Sequence, residues 1–157
     1  MKEIERKFLV LPAVKQLFPK VKKFAIRQGY LQRSKEATVR VRVKDDKAFL
    51  TIKSATLNFT RDEFEYEIPL ADAEKMLLLC GHHVLEKYRY EILFEGKIWE
   101  VDEFIGKLNG LYLAEIELKS EDETFVRPDW LGEEVSLDTR FANSNLVLVE
   151  SFTDLNL

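Results

Sequence analysis

The chain has 157 residues, 46% of them hydrophobic and 33% charged, with a formal net charge of −4. A chain of that length can bury a core without staples, and an acidic balance argues against the broad basic surface that nucleic acid needs for counterion displacement. A single cysteine, Cys80, excludes an intramolecular disulfide, and no apolar stretch approaches the length of a bilayer span. We therefore expect one domain over residues 1–157, no nucleic-acid or membrane partner and, with no basic leader after Met1, a cytoplasmic location.

Taken in chain order, polar and apolar residues alternate with period two over 2–10, 25–32, 37–44, 47–54, 61–69, 86–94, 97–104 and 111–119, which predicts about eight strands. Between the first two, Pro12 to Phe18 predicts a short helix with proline in its first turn. Asp72 to Cys80 predicts another, acidic at its start and followed by Gly81. Ser120 and Glu123 have capping-box spacing for a third, and a last short helix is expected after Asn143, carrying Leu146 and Val149. No repeat, low-complexity tract or Gly/Ser linker interrupts the series.

Two tight connections fix register. A two-residue turn at Asp45-Asp46 pairs Val43 with Ala48, Val41 with Leu50 and Val39 with Ile52 on one face, and Arg42 with Phe49, Arg40 with Thr51 and Thr38 with Lys53 on the other. A turn at Glu95-Gly96 pairs Arg89 with Asp102 and Tyr90 with Val101. It also opposes Glu91 to Glu100, which is unfavourable unless the two lie in water or share a cation.

Sorting the polar faces by strand separates the signs of charge. Glu3 and Glu5, then Glu63, Glu65 and Glu67, then Glu100 and Asp102, then Glu115 and Glu117 make acidic ribbons. Arg40, Arg42 and Lys44, with Lys53, Lys87, Arg89 and Lys7, make basic ones. A solvated sheet face mixes both signs with Ser, Thr and Gln, because only solubility and near neighbours constrain it. The opposite faces, with Ile4, Phe8, Val41, Tyr90, Trp99, Val101 and Ile116, are apolar and need cover. Closing the sheet around its charges lets the helices at 12–18 and 72–80 and the C-terminal segment provide that cover. The expected fold is α+β: a closed antiparallel eight-stranded β-barrel with a few short helices packed outside and a polar tunnel within.

Carboxylates facing guanidinium and ammonium groups do not stay dry at acceptable cost, so the tunnel should hold water, metal and an anion. Arginine forks and lysine point charges suit phosphate oxygens, and carboxylates suit Mg²⁺ or Mn²⁺ bridging to the same phosphate. A polyphosphate chelated to divalent cations is the simplest ligand with both needs.

At this point the residues resemble a known family, the CYTH domain or triphosphate tunnel metalloenzyme group. Glu3-Ile4-Glu5-Arg6-Lys7 is similar to its ExExK signature, and the likeness continues in order through Gln28-Gly29-Tyr30-Leu31, Thr38 to Lys44, Thr51-Ile52-Lys53-Ser54 and Arg61-Asp62-Glu63-Phe64-Glu65. It runs on through Glu86 to Tyr90, Glu100-Val101-Asp102 and Glu115-Ile116-Glu117, to a closing motif of Gly132 to Ser136 with Asp138, Arg140, Phe141 and Asn143. In that motif Ser136 stands for the usual Thr and Phe141 for the usual Tyr. The resemblance implies a tunnel that binds triphosphates with Mg²⁺ or Mn²⁺. It implies Glu3, Glu5 and Glu117 as the main metal ligands, with Glu63, Glu65, Asp102 and Glu115 available for a second metal and the attacking water. It implies Lys7, Arg40, Arg42, Lys53, Lys87 and Arg89 as phosphate-binding residues, with Arg140 added from the closing motif. Lys87, Glu65 and Glu115 are the expected catalytic residues.

Cys80, His82 and His83 cluster, but a polar loop after a helix ending at Gly81 accounts for them better than a transition-metal site. Gly-rich phosphate loops, a nucleophilic triad and a dinucleotide fingerprint are absent. The expected activity is metal-dependent hydrolysis of a small triphosphate: inorganic tripolyphosphate first, with ATP and thiamine triphosphate as further candidates. A class IV adenylyl cyclase and a noncatalytic triphosphate-binding module are the alternatives. Monomer and homodimer both remain open.

Overall fold

Alternation over eight extended segments sets the architecture of the protein, described from Met1 to Leu157 in a computed structural model. The strands are β1 (Lys2–Val10), β2 (Lys22–Arg33), β3 (Ala37–Lys44), β4 (Lys47–Ser54), β5 (Thr60–Ile68), β6 (Val84–Phe94), β7 (Lys97–Ile105), β8 (Tyr112–Glu117) and β9 (Leu131–Glu134). The first eight run β5-β4-β3-β2-β6-β7-β8-β1, and β1 pairs again with β5 to close an antiparallel barrel. Closure removes the open edges that a sheet of this size would otherwise present. Strand β9 lies along the outer half of β1, with Phe8 opposite Glu134. It falls in the closing motif, where alternation is too short to announce a strand.

Both hairpin registers hold. Arg40 faces Thr51, Thr38 faces Lys53, Arg89 faces Asp102 and Glu91 faces Glu100. The turns have the left-handed backbone that two-residue connections need, with φ of 54° at Asp45, 49° at Glu95 and 76° at Gly96. Residues two apart share a face, so Glu3, Glu5 and Lys7 enter the barrel while Ile4 and Phe8 leave it.

The outward apolar residues form two cores. On β1, β6, β7 and β8, Phe8, Tyr90, Ile92, Trp99, Val101 and Ile116 pack with Val14, Leu17 and Phe18 of the 3₁₀ helix Pro12–Lys20, and with Phe125 and Trp130. Trp99 is fully enclosed and meets Phe8, Phe125 and Trp130 edge-on. Trp99→Ala would cost about 3–5 kcal/mol. On β3 and β4, Val41, Val43 and Ala48 take Ala73, Leu77 and Cys80 from α1 (Leu70–Leu79) and its C-cap.

Two elements depart from the sequence expectation. Residues 120–123 form a turn and no helix: Glu123 accepts from the Lys119 amide at 2.6 Å and also engages Lys97. With both oxygens engaged outside the turn, no capping box forms, and the chain runs on extended to bury Phe125. The short helix after Asn143 is present as α2 (Asn143–Leu146), but the C-terminal segment does not lie outside the barrel. It enters one end. Phe141, Leu146, Val147 and Leu155 pack with Leu85, Phe104 and Leu113, which share the inward faces of Lys87, Asp102 and Glu115. The interior therefore changes along its axis from apolar at the plugged end to charged in the middle. Without the C-terminal segment as cover, the outside of β4 and β5 stays open, and Ile52, Phe64 and Tyr66 are 37%, 47% and 59% exposed.

Candidate active site

The charged middle of the barrel encloses a cavity of about 550 Å³. Lys7, Arg40, Arg42, Lys53 and Arg89 line it, as do Glu3, Glu5, Glu63, Glu65, Glu115 and Glu117. All eleven were singled out from the sequence, and strand phase alone brings them together.

Register decides who meets whom. Lys53 on β4 neighbours Glu63 on β5, and β5 meets β1 at the pair Arg61 and Glu3. Lys53 Nζ consequently donates to both oxygens of Glu3 at 3.1 and 2.9 Å and lies 3.2 Å from Glu63, while Arg61 Nε donates to Glu3 at 2.9 Å. Burial alone would raise the Glu3 carboxyl; Lys53, a hydrogen bond with Glu63 and Arg61 outweigh it and hold Glu3 down to about 2. Glu5 is the opposite case. Burial, then the nearby Glu115 and Glu3 carboxylates, push it up to about 8. Glu117, across the ladder from Glu5, is raised by burial and by Glu3 and Glu100. Glu115 would also rise on burial, but Lys7, Arg89 and Lys87 carry it well below the ordinary range.

On the basic side, Arg40 donates to Thr51 Oγ1 at 3.2 Å and stands 3.5 Å from Glu65. Lys7 Nζ donates to the Phe141 carbonyl at 2.9 Å and stands 3.6 Å from Glu115. Arg42 Nε donates to Gln28 Oε1 at 2.8 Å. Burial first, then the repulsion of Arg40 and Arg89, lower the Arg42 guanidinium to about 9.

Three sequence-selected residues lie elsewhere. Asp102 is enclosed behind the wall, accepting from Arg89 Nε and Nη2 at 2.7 and 2.8 Å, with Lys87 Nζ at 2.8 Å. Lys87 is equally enclosed, and its ammonium donates to Asn143 Oδ1 at 3.3 Å. Burial, against the pull of Asp102 and with Arg89 and Arg42 nearby, brings Lys87 down to about 7. Arg140 is at the surface, bonded to Asp138 at 2.7 Å and to the Leu155 carbonyl at 2.9 Å, where it braces the plug.

Sequence reading passed over several lining groups. Arg61 was read as part of a motif but given no role, although it is in phase with Glu63 and Glu65. Lys44, Thr38 and Phe49, placed on the polar face but given no role, also line the cavity, as do Tyr30 and the strap residues 135–139 and 141–144. Alternation could have found the strand residues; nothing local marks the strap. Glu100, opposed to Glu91, lines the cavity and accepts from Arg89 Nη1 at 3.2 Å.

A hard divalent cation fits this donor chemistry. The acidic wall is all carboxylate, with neither His nor Cys, and the crowding of Glu115 and Glu3 that raises Glu5 makes a place where added positive charge is favourable. No three carboxylates stand as a ready coordination set, because Glu3 is turned toward Lys53 and Arg61. A cation must draw it away from them.

The closed barrel with this two-signed interior agrees with what the sequence matches: the CYTH domain profile covers residues 1–149. The chain belongs to the CYTH family. This CYTH domain is 50% identical over 148 residues to a protein named inorganic triphosphatase in Acetivibrio thermocellus, covering 93% of each chain. It is 38% identical over 154 residues to another of that name in Nitrosomonas europaea, covering 94% and 98%. The crystal structure of an inorganic triphosphatase superposes with a TM-score of 0.67 at 36% identity, covering 93% and 94%. A putative adenylate cyclase of Bacillus halodurans, at 21% identity and a TM-score of 0.60 over 77% and 83%, shares the fold. No helix of this CYTH domain is long and apolar enough to cross a membrane.

Proposed function

We propose that this protein hydrolyses a terminal phosphoanhydride bond of a small triphosphate, inorganic tripolyphosphate first, with Mg²⁺ or Mn²⁺. The observation that carries the reading is the cavity of about 550 Å³ whose cations come mostly from β3, β4 and β6 and whose carboxylates come mostly from β1, β5 and β8. The names of the relatives at 50% and 38% identity support the same substrate class.

Arg40, Arg42, Lys53, Arg89 and Lys7 bind the phosphate oxygens, as their place on the cavity lining allows. Glu3, Glu5 and Glu117 hold the first cation, with Glu63, Glu65 and Glu115 beside them for a second cation and for orienting the attacking water. Asp102 leaves that set because its oxygens are engaged by Arg89 and Lys87. Bound metal supplies charge neutralisation on the phosphate and lowers the pKa of water. Lys87, brought down to about 7 in an enclosed site, is poised to hold or release a proton near neutrality. Arg140 serves the plug and no phosphate. We place the activity in the cytoplasm, on the grounds of the lone free Cys80.

The test incubates purified protein with tripolyphosphate, ATP and thiamine triphosphate, each with Mg²⁺, Mn²⁺ or EDTA, and measures phosphate, pyrophosphate and cyclic AMP. Metal-dependent phosphate release is expected. Cyclic AMP from ATP would replace the hydrolase with a cyclase, and triphosphate binding without turnover would replace it with a binding module.

A further inference from the structure

Of the seven cations that line the cavity, five are in an ion pair. Lys53 and Arg61 hold Glu3, Arg89 holds Asp102, Arg40 stands by Glu65 and Lys7 by Glu115. The two without a carboxylate partner are Lys44, which lies over the Phe24 ring, and Arg42. The partner of Arg42 is a neutral amide oxygen, Gln28 Oε1 at 2.8 Å, and Arg40 and Arg89 repel it more than Asp102 attracts it.

Gln28 is itself fully buried on β2, where it pairs with Arg42 on β3 and Leu85 on β6. It does not line the cavity. A guanidinium has no acceptor, so the amide must turn its oxygen to Arg42, which leaves Nε2 pointing away. That Nε2 has no hydrogen-bond partner. A glutamate of the same size would have kept the bond to Arg42, added an ion pair and left no orphan donor. Size and the Arg42 contact therefore admit a glutamate at 28, at the cost of burying its second oxygen where Nε2 now has no partner. What it would remove is the unpaired positive charge that Arg42 presents to the cavity.

Resting on the proposed triphosphatase reading, we propose that Gln28 is a positioning residue that acts on Arg42 through its neutrality, leaving the charge of Arg42 without a carboxylate partner, so that Arg42 is an anchor for the anionic substrate. The paired wall cations exchange a carboxylate for a phosphate on binding; Arg42, like Lys44, has none to release. It therefore supplies attraction to the incoming anion with no ion pair broken, and the neutrality of residue 28 is what preserves it.

The test is Gln28→Glu, assayed with tripolyphosphate and Mn²⁺ for kcat and KM, and by melting temperature with and without tripolyphosphate. The variant is expected to melt within a few degrees of the wild type without ligand, the added ion pair offsetting the burial of its charge. KM should rise about tenfold or more, kcat should change less than about threefold, and the melting shift caused by tripolyphosphate should shrink. Gln28→Met keeps the volume and the neutrality but loses the acceptor; it should melt lower yet keep KM within about threefold. It decides the matter should the glutamate variant not fold. An unchanged KM in Gln28→Glu overturns the inference, as does a KM in Gln28→Met raised about tenfold or more, because the hydrogen bond and not the charge would then be what matters. A wild-type protein that neither turns over tripolyphosphate nor is stabilised by it sinks the functional reading instead, before either variant is made.

Discussion

Replacing Glu5 by Gln should make the metal-free protein more stable while abolishing its turnover. Glu5 sits on β1 with Glu117 across the ladder and Glu115 and Glu3 nearby, and its carboxyl is raised from an ordinary 4.5 to about 8. At pH 7 the folded protein thus keeps a proton that the unfolded chain has released, and linkage puts the cost at about 3 kcal/mol as a ceiling. Gln carries no such cost and still offers a neutral N–H where the protonated carboxyl offered its O–H. Allowing for coupling with Glu3 and Glu115, about 2 kcal/mol is the realistic gain, or about 4–8 °C in a domain of this size. The sign sets the pH window. A carboxyl with a raised folded pKa favours the fold below 4.5 relative to above it, so the wild-type deficit opens as pH climbs from 4.5 and is complete above about 8. Melting curves in EDTA at pH 5, 6, 7 and 8, with phosphate release measured in parallel with Mn²⁺, test both halves. A variant that melts below wild type at pH 7, or a difference that does not grow with pH, would mean the Glu5 charge holds the fold together.

Adding Mn²⁺ should raise the wild-type melting temperature and leave Glu5→Gln much less affected, and the metal's apparent affinity should strengthen as pH rises toward 8, read by titration calorimetry. Asp102→Asn should lower stability by about 3–5 kcal/mol in chemical denaturation, because it strands Arg89 and Lys87 in an enclosed site without their carboxylate. A loss of activity with normal stability would instead return Asp102 to the metal-binding set. Arg140→Ala should keep KM for tripolyphosphate within about twofold while lowering the melting temperature by a few degrees, since its bonds run to Asp138 and Leu155 on the plug.

Most of the barrel was legible because a strand's period of two sorts side chains onto faces without reference to anything distant. From that rule came the pairing of Arg40 with Thr51 and of Arg89 with Asp102, and the inward set from Glu3 to Glu117. What the rule leaves undecided is depth along the barrel axis. Lys87 and Asp102 have the same inward phase as Arg89 and Glu100, yet they lie where the plug closes over them, and only the position of Phe141 and Asn143 reveals it. The plug was illegible for a related reason. Its apolar residues, Phe141, Leu146, Val147 and Leu155, come at irregular spacings in short turns, so no period says which surface they cover. Arg140 was misplaced by the same gap: sequence proximity to the closing motif says nothing of which way a side chain leaves a single 3₁₀ turn.

On the proposed function, the paired charges of the tunnel also predict how metal and triphosphate binding are related. In the unliganded protein Lys53 and Arg61 neutralise Glu3, so neither the carboxylate nor the lysine is free for a ligand. A divalent cation taking Glu3 would leave Lys53 with Glu63 alone, favouring an added anion, and a triphosphate taking Lys53 would leave Glu3 with Arg61 alone, favouring an added cation. Each ligand prepays the desolvation that the other would face alone. Coupling of that kind is reciprocal, so metal and triphosphate tighten each other's binding by the same factor. The two walls hold each other, and on the proposed function a substrate complex would replace their mutual contacts with its own.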